Sequence, residues 1–321
     1  MDGFLLINKP KGMTSHDVVF KIKKKFHLDK VGHTGTLDPF ASGLMILCLG
    51  KATKLAYLFS NLSKSYDGTI VFGNHYDTYD TTGLVEQTKI VELKSNEISS
   101  AMNHFIGTYD QLPPMYSAIK IKGKKLYEFA RQGIEVERNT RQVEIFDFKM
   151  LKFINPLKCT FITSVSKGTY IRSLIVDLAE QLNTYAALET LNRLTVGSYS
   201  LNYAKTLEEV TKNDMISLEM YFKDFPAVVL NEYLIKLVKN GVYLDERQIE
   251  TDQPFVVYDE NLQMIAYYEV KNINQYKIDL RSYKKNMILY KMEYEEYSLH
   301  KKRTSLERKK KYLKKQIKEL K

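Results

Sequence analysis

The sequence predicts an α+β protein in two parts, a large N-terminal domain of interleaved strands and helices and a small β-rich domain after about residue 222. Three observations carry this. At 321 residues the chain is about twice a typical single domain, and 44% apolar residues suffice for a core. Before residue 222, short apolar runs bounded by glycine alternate with apolar residues at helical spacing. Beyond it the chain becomes rich in tyrosine and hairpin-like.

In chain order, SHDVVFKIKKKFH predicts an amphipathic helix with Ser15 as N-cap. Val18, Val19, Ile22 and Phe26 form its apolar stripe, and Lys21 and Lys23 to Lys25 lie mostly off it. GLMILCLG, Gly43 to Gly50, reads as a buried strand, KATKLAYLFSNL as a helix, and Tyr66 to Phe72 as another strand. GNHYDTYDTTG reads as a long polar loop, either a solvated connection or a working surface. A helical stretch near residues 97 to 106 precedes GTYDQLPPMYSAIKIKGKKLYEFARQG, where Pro113 and Pro114 break any helix. There five aromatic or Met side chains interleave with Lys120, Lys122, Lys124 and Lys125. That mixture suits looped or single-stranded RNA, whose bases stack on aromatic faces, and equally an ordinary hairpin arm with a solvated basic side.

CTFITSVS reads as a strand leading into a helix with Ile171, Leu174, Ile175, Leu178 and Leu182 on one stripe. Arg172 falls in the first turn, off that stripe. A cation there opposes the helix dipole, so a negative partner is expected to hold it. In the small domain FVVYDENLQMIAYYEV predicts a hairpin turning at Asp259 to Asn261, and KIDLRSYKKNMILYKM supplies further strand-like segments.

The formal charge of +10 points to nucleic acid, but residues 301–321 hold eleven Lys or Arg against two Glu. The body is therefore near neutral overall, with a basic N-terminal part: ten Lys against four Asp in residues 1–64. No apolar run approaches the roughly 18 residues of a membrane span. The start MDGFLLINKP has an acid and a proline where a secretory signal would be basic and then apolar, so a cytoplasmic protein is expected. Cys48 and Cys159 lie in apolar surroundings, as buried reduced thiols do, which argues against sulfur-based metal sites. His16, His27, His75 and His104 show no metal-ligand spacing.

The densest chemical signal is GHTGTLDPFASGLM, residues 32–45. Glycines allow close backbone approach to a ligand, and a residue before proline is pushed out of helical conformation, so Asp38 is expected in an extended conformation on a rigid loop. A simple Asp-capped turn would need none of the preceding Gly-His-Thr-Gly.

This motif closely resembles the catalytic motif of the tRNA pseudouridine synthase B family, which isomerises uridine 55 in the T-loop of tRNA. Further landmarks follow in order: INKPKGMTSHDVV at 7–19, KSYDGTIVFG with YDTYDTTG at 64–83, GTYDQLPPMYSAIKIKGKKLYEFARQG at 107–133, and SKGTYIRSLIVDL at 166–178. The resemblance implies a pseudouridine-synthase fold: a central, mainly antiparallel sheet flanked by helices in residues 1–222, with an RNA-gripping insertion at about 107–142. It implies a PUA-like β domain at 223–297, followed here by a basic tail, 298–321. By position it makes Asp38 the catalytic aspartate, Tyr66 the tyrosine that stacks on the target base, and Arg172 the partner of the aspartate. A guanidinium favours the ionised form of a nearby carboxylate, the form a nucleophile needs. His33 corresponds to the histidine that enters the opened T-loop, and Leu191 lines the pocket. Lys9, Lys120, Arg141 and Arg193 join the expected RNA contacts, and Lys9 with Pro10 is also expected to pack beneath the site.

The reaction gains and loses no atoms, so no cofactor or metal is expected. The implied partner is the T-arm of tRNA, engaged by a monomer with no obligate protein partner and no membrane. Three departures from the family pattern bear on RNA contacts: Tyr76 for the first Thr of Thr-Asp-Thr, Asn192 within Leu-Arg-Arg, and Asn183 for a common Gly. Two other readings stand beside this one. A guide-RNA-dependent synthase of a ribonucleoprotein would carry a larger C-terminal domain, and a tRNA-folding chaperone would not require the catalytic set.

Overall fold

The structure is a computed structural model that describes residues 1–121, 123–242, 244, 245, 251, 253–272 and 275–278. Lys122, the strand-like segments expected after residue 278 and the basic tail lie outside the described residues. The chain divides into two compact units, Met1–Tyr221 and Phe222–Lys321.

The first unit begins with β1 (Gly3–Lys9), α1 (Ser15–Phe26), β2 (Val31–His33) and β3 (Ser42–Leu49). The stripe Val18, Val19, Ile22 and Phe26 is buried, as its spacing predicts. The cap differs from expectation. Thr14 is the N-cap and forms a reciprocal capping box with Asp17, while Ser15 is turned inward. At the other end His27 takes the left-handed cap conformation, and Lys23 to Lys25 occupy the last turn, where the dipole favours cations.

A six-residue 3₁₀ segment (Gly50–Leu55) and one turn of helix, α2 (Tyr57–Ser60), replace the single helix expected there. β4 (Lys64–Phe72) follows. The expected polar loop instead opens with a strand, β5 (Asn74–Tyr76), paired with β6 (Val85–Thr88). Then come α3 (Ser95–His104), β7 (Gly107–Gln111), the small hairpin β8 (Lys120–Ile121) and β9 (Lys124–Lys125), and α4 (Leu126–Ala130). The unit closes with β10 (Arg141–Asn155), β11 (Lys158–Val165), α5 (Ile171–Gln181), β12 (Ala186–Val196), β13 (Tyr199–Ser200), β14 (Ile216–Ser217) and α6 (Leu218–Tyr221).

Ten of these strands form one sheet, ordered β14-β1-β3-β12-β4-β11-β10-β7, with β2 added to β3 and β13 to β12. Every pairing is antiparallel except β3 with β12, which touch in parallel only at Ser42 and Gly43 against Asn192 and Arg193. That short seam joins two antiparallel halves. On one side a core cluster unites α1 with β1 and β3. On the other, a larger cluster joins α3 and α5 to β4, β11 and β12. Cys48 and Cys159 are buried free thiols, which burial pushes up to about 12.

The described part of the second unit holds β15 (Ala227–Val229), α7 (Glu232–Lys239), β16 (Leu244–Asp245), β17 (Phe255–Tyr258), β18 (Met264–Asn272) and β19 (Gln275–Ile278). Its sheet order is β15-β17-β18-β19-β16. Asp259 Oδ1 accepts from the Asn261 and Gln263 N–H groups, which makes the β17–β18 turn where the sequence expects it. Ile235 and Val238 of α7 join the buried cluster that also holds Phe255, Val257 and Tyr268.

Candidate active site

β2 pairs with β3, and the chain between them, residues 34–41, must leave the sheet and return beside the seam. It is tied down from three directions. From α1, the Ser15 hydroxyl accepts from Leu37 N–H (2.8 Å) and donates to Leu37 C=O (3.0 Å). From the turn before α1, Gly12 N–H donates to Pro39 C=O at 2.7 Å. From β12, Arg193 donates Nε to Leu44 C=O (2.7 Å) and its terminal nitrogens to Gly35 and Thr36 C=O. Gly43, at φ +107°, closes the seam where a Cβ would fall 2.4 Å from Arg193 O. Leu37 and Phe40 sink into the larger core on either side of Asp38, which leaves the Asp38 carboxylate on an anchored loop.

Arg172 reaches that carboxylate from the first turn of α5. Its Nε lies 2.8 Å from Asp38 Oδ2, close enough for a strong ion pair though not aligned as a hydrogen bond. Its two terminal nitrogens donate to Thr78 and Tyr116 C=O, both at 2.8 Å. The guanidinium is only 4% exposed, whereas the Asp38 side chain is 33% exposed. The cation is sealed behind the acid, and the acid faces outward.

Tyr66 lies on β4, opposite Thr163 of β11 and Arg193 of β12, and is nearly buried in the cluster that also holds Leu37, Phe40, Ile171 and Leu191. One side chain that sequence reasoning does not single out belongs here. Tyr170, two residues before Arg172, has its phenol pushed up by burial, with Asp38 acting in the same direction and Arg141 and Arg172 opposing. It stands within the KGTYIR segment, but its chemistry shows only once α5 is placed.

The expected RNA contacts divide. Lys120 and Arg141 are exposed. His33 is half-buried at the end of β2, and its imidazole is held below the usual range by burial first and then by the Arg193 and His16 charges. Leu191 lies within the core. Two assignments are corrected. Lys9 is fully buried, donates to Met13 and Pro10 C=O, and cannot reach a phosphate. Burial pulls its ammonium down to about 8, against a counter-pull from the Asp38 carboxylate. Arg193 is 2% exposed with its donors on the 35–44 loop, which makes it a strut of that loop and no RNA contact.

The departures have local partners. Asn192 donates to Asp67 Oδ1 (3.0 Å) and accepts from Ser42 Oγ (3.2 Å). Asn183 takes φ +53°, a conformation that glycine and asparagine tolerate best, and accepts from Lys89 Nζ. Tyr76 lies on β5. Among the described residues no group of three or more His, Cys, Asp or Glu is placed to hold a metal, and no helix is long and apolar enough to cross a membrane.

Residues 23–171 match the N-terminal domain of the TruB family pseudouridylate synthases. Over 277 residues the chain is 53% identical to a tRNA pseudouridine synthase B from Aster yellows witches'-broom phytoplasma, covering 86% of this chain and 98% of that one. It is 51% identical to the protein of that name from Acholeplasma laidlawii, over 87% of this chain and 99% of the relative. To the one from Bacillus cytotoxicus it is 37% identical, over 84% and 92%. Among solved structures, a Cbf5-Nop10-Gar1 complex contains a chain of similar fold, with a TM-score of 0.62 at 23% identity over 85% of this chain and 79% of that one.

Proposed function

The chain belongs to the TruB family of pseudouridylate synthases, and from that premise we propose that it isomerises uridine to pseudouridine at position 55 in the T-loop of tRNA, with Asp38 as its catalytic aspartate. The N1–C1′ bond breaks, the uracil turns, and C5 bonds to C1′. The proton that C5 gives up is balanced by the one N1 takes, so nothing is gained or lost. The relatives that carry the name tRNA pseudouridine synthase B match this chain over nearly their whole length, which favours a stand-alone tRNA enzyme over a guide-dependent one. It works as a monomer in the cytoplasm, without an obligate protein partner or a cofactor.

The observation that carries the reading is the asymmetry of the Asp38–Arg172 pair, an outward-facing carboxylate backed by a buried guanidinium. A target base lies inside a folded loop and must be turned out to reach such a carboxylate. Tyr66 offers the aromatic face that replaces its lost stacking, Leu191 supplies apolar wall, and His33, Lys120 and Arg141 meet the RNA. The exposed Asp38 oxygen attacks the flipped nucleotide, the bond it forms is broken again before product leaves so that the carboxylate is regenerated, and Arg172 holds that carboxylate in one orientation throughout.

The test is to incubate the purified full chain with an unmodified tRNA transcript, without additives, and map pseudouridine by nucleotide. Product at position 55 alone is expected. Asp38→Asn is nearly isosteric but cannot act as an anionic nucleophile, while phosphate contacts dominate RNA affinity. It should abolish product and leave tRNA binding within about threefold. Turnover at even about a tenth of the wild-type rate, roughly 1.4 kcal/mol of barrier, would remove Asp38 from its role.

A further inference from the structure

Gln111, the last residue of β7, is 1% exposed and far from the loop that carries Asp38 in sequence. Its carboxamide is nevertheless tied to the start of α5. Oε1 accepts from Tyr170 N–H at 2.8 Å and Nε2 donates to Tyr170 C=O at 3.0 Å. One amide thus satisfies both polar groups of one backbone residue, an arrangement that fixes its orientation, since a flipped amide would set donor against donor. Nε2 also donates to Tyr109 Oη, whose hydroxyl in turn donates to Asp177 Oδ2 at 3.3 Å.

Tyr170 is the N-cap of α5 and has no side-chain cap of its own. The next residues continue the same seam. Ser173 Oγ donates to Leu112 C=O at 2.8 Å, and Arg172 donates to Tyr116 C=O at 2.8 Å. The segment 111–116 and residues 170–173 are therefore joined along their length, with Gln111 at one end and the Arg172 guanidinium at the other. A cation in the first turn of a helix opposes the dipole and has long side-chain freedom to lose. Its geometry against Asp38 must be imposed from outside.

We infer that Gln111 is a positioning residue for the reaction: by clamping the backbone of Tyr170 it sets the first turn of α5 so that Arg172 meets Asp38, without touching substrate. This rests on the role proposed above for the Asp38–Arg172 pair. Gln111→Met keeps length and volume but removes both hydrogen bonds to Tyr170. A reacting group displaced by an ångström loses far more rate than binding, so the single-turnover rate on unmodified tRNA should fall about tenfold or more, with the tRNA Kd changed less than about threefold.

The discriminating measurement is a cycle with Arg172→Lys. If Gln111 acts through Arg172, the combined variant should lose no more than about twofold beyond Arg172→Lys alone, because the two changes damage the same geometry. A purely structural Gln111 would lower the unfolding temperature and leave the rate, measured well below it, at the wild-type level. That outcome, or losses that multiply in the combined variant, overturns the inference. Should Gln111→Met not fold, Gln111→Glu is measured in the same cycle; its shape is retained and its Oε still accepts from Tyr170 N–H, but the ionised acid cannot donate to Tyr170 C=O. The same two outcomes decide it. Arg172→Lys at the wild-type rate would instead overturn the reading of the ion pair, whatever Gln111 does. A slow Arg172→Lys beside an unaffected Gln111 variant overturns this inference alone.

Discussion

Arg172 and Arg193 are both buried, and each is committed to backbone carbonyls close to Asp38. A buried guanidinium is stable only when its donors are met, so these two cations hold fixed the loop and helix that they touch. Their legibility in the sequence differs for a physical reason. Arg172 stands out through its conflict with the helix dipole, a local property, and the partner found for it is Asp38. Arg193 and Lys9 look like phosphate contacts because a sequence displays charge without direction, and only the packing shows that both point inward. Asp177 is invisible for the same reason. Burial raises its carboxyl to about 6, above the roughly 3.8 expected of an unfolded chain, so the folded state holds its proton more tightly. Its stabilisation is then complete below about pH 4 and lost as pH rises through about 6. Asp177→Asn, a neutral isostere, should flatten that part of the profile. Urea unfolding midpoints across this range measure it, and parallel profiles for the two proteins would show that Asp177 is not the titrating group.

The elements that the sequence reveals best are those with one face in the core. α1, α5 and β3 carry stripes or runs of apolar residues, and periodicity places them. β6 reads VEQT, exposed at every position, and leaves no alternation to detect, so with β5 it passes for loop. The short 3₁₀ segment before α2 likewise has no helical stripe long enough to distinguish it from a helix. At the start of α1, Thr14 and Ser15 are both good caps by residue type, and only the structure separates their duties. Thr14 caps the helix, whereas Ser15 ties Leu37 and hence the Asp38 loop. Two different outcomes follow. Thr14→Ala should cost about 1 kcal/mol of stability and leave the single-turnover rate unchanged. Ser15→Ala leaves the Leu37 N–H and C=O without their partner in a buried place, so it should cost about 1–3 kcal/mol and slow the reaction as well. Chemical denaturation and single-turnover assays on both variants would show it, and a Ser15→Ala enzyme with a full rate would mean that the loop is held sufficiently by Arg193 and Gly12.

At the scale of the whole molecule, charge is distributed in two places that act differently on RNA. Within the N-terminal 64 residues, Lys21 and Lys23 to Lys25 are exposed on the folded helix α1, where position matters. Residues 301–321, outside the described residues, carry +9 of the +10 net charge, a density of cations suited to phosphates. Each phosphate neutralised releases counterions, and the resulting affinity falls linearly with the logarithm of salt concentration. Phosphate contacts fix position and carry little sequence information, so the tail should add strength and not choice. Truncation after Leu299 is therefore expected to weaken tRNA binding at low salt and to make the salt dependence shallower, by about 0.7–0.9 in slope for each phosphate that the tail no longer neutralises. The modified nucleotide should stay the same, because the groups proposed to select and hold it lie on the first unit. Binding of full-length and truncated protein across a salt series, with pseudouridine mapped in parallel, separates the possibilities. Identical slopes would make the tail a bystander, and a shifted modification site would move part of the specificity out of the first unit and into the tail.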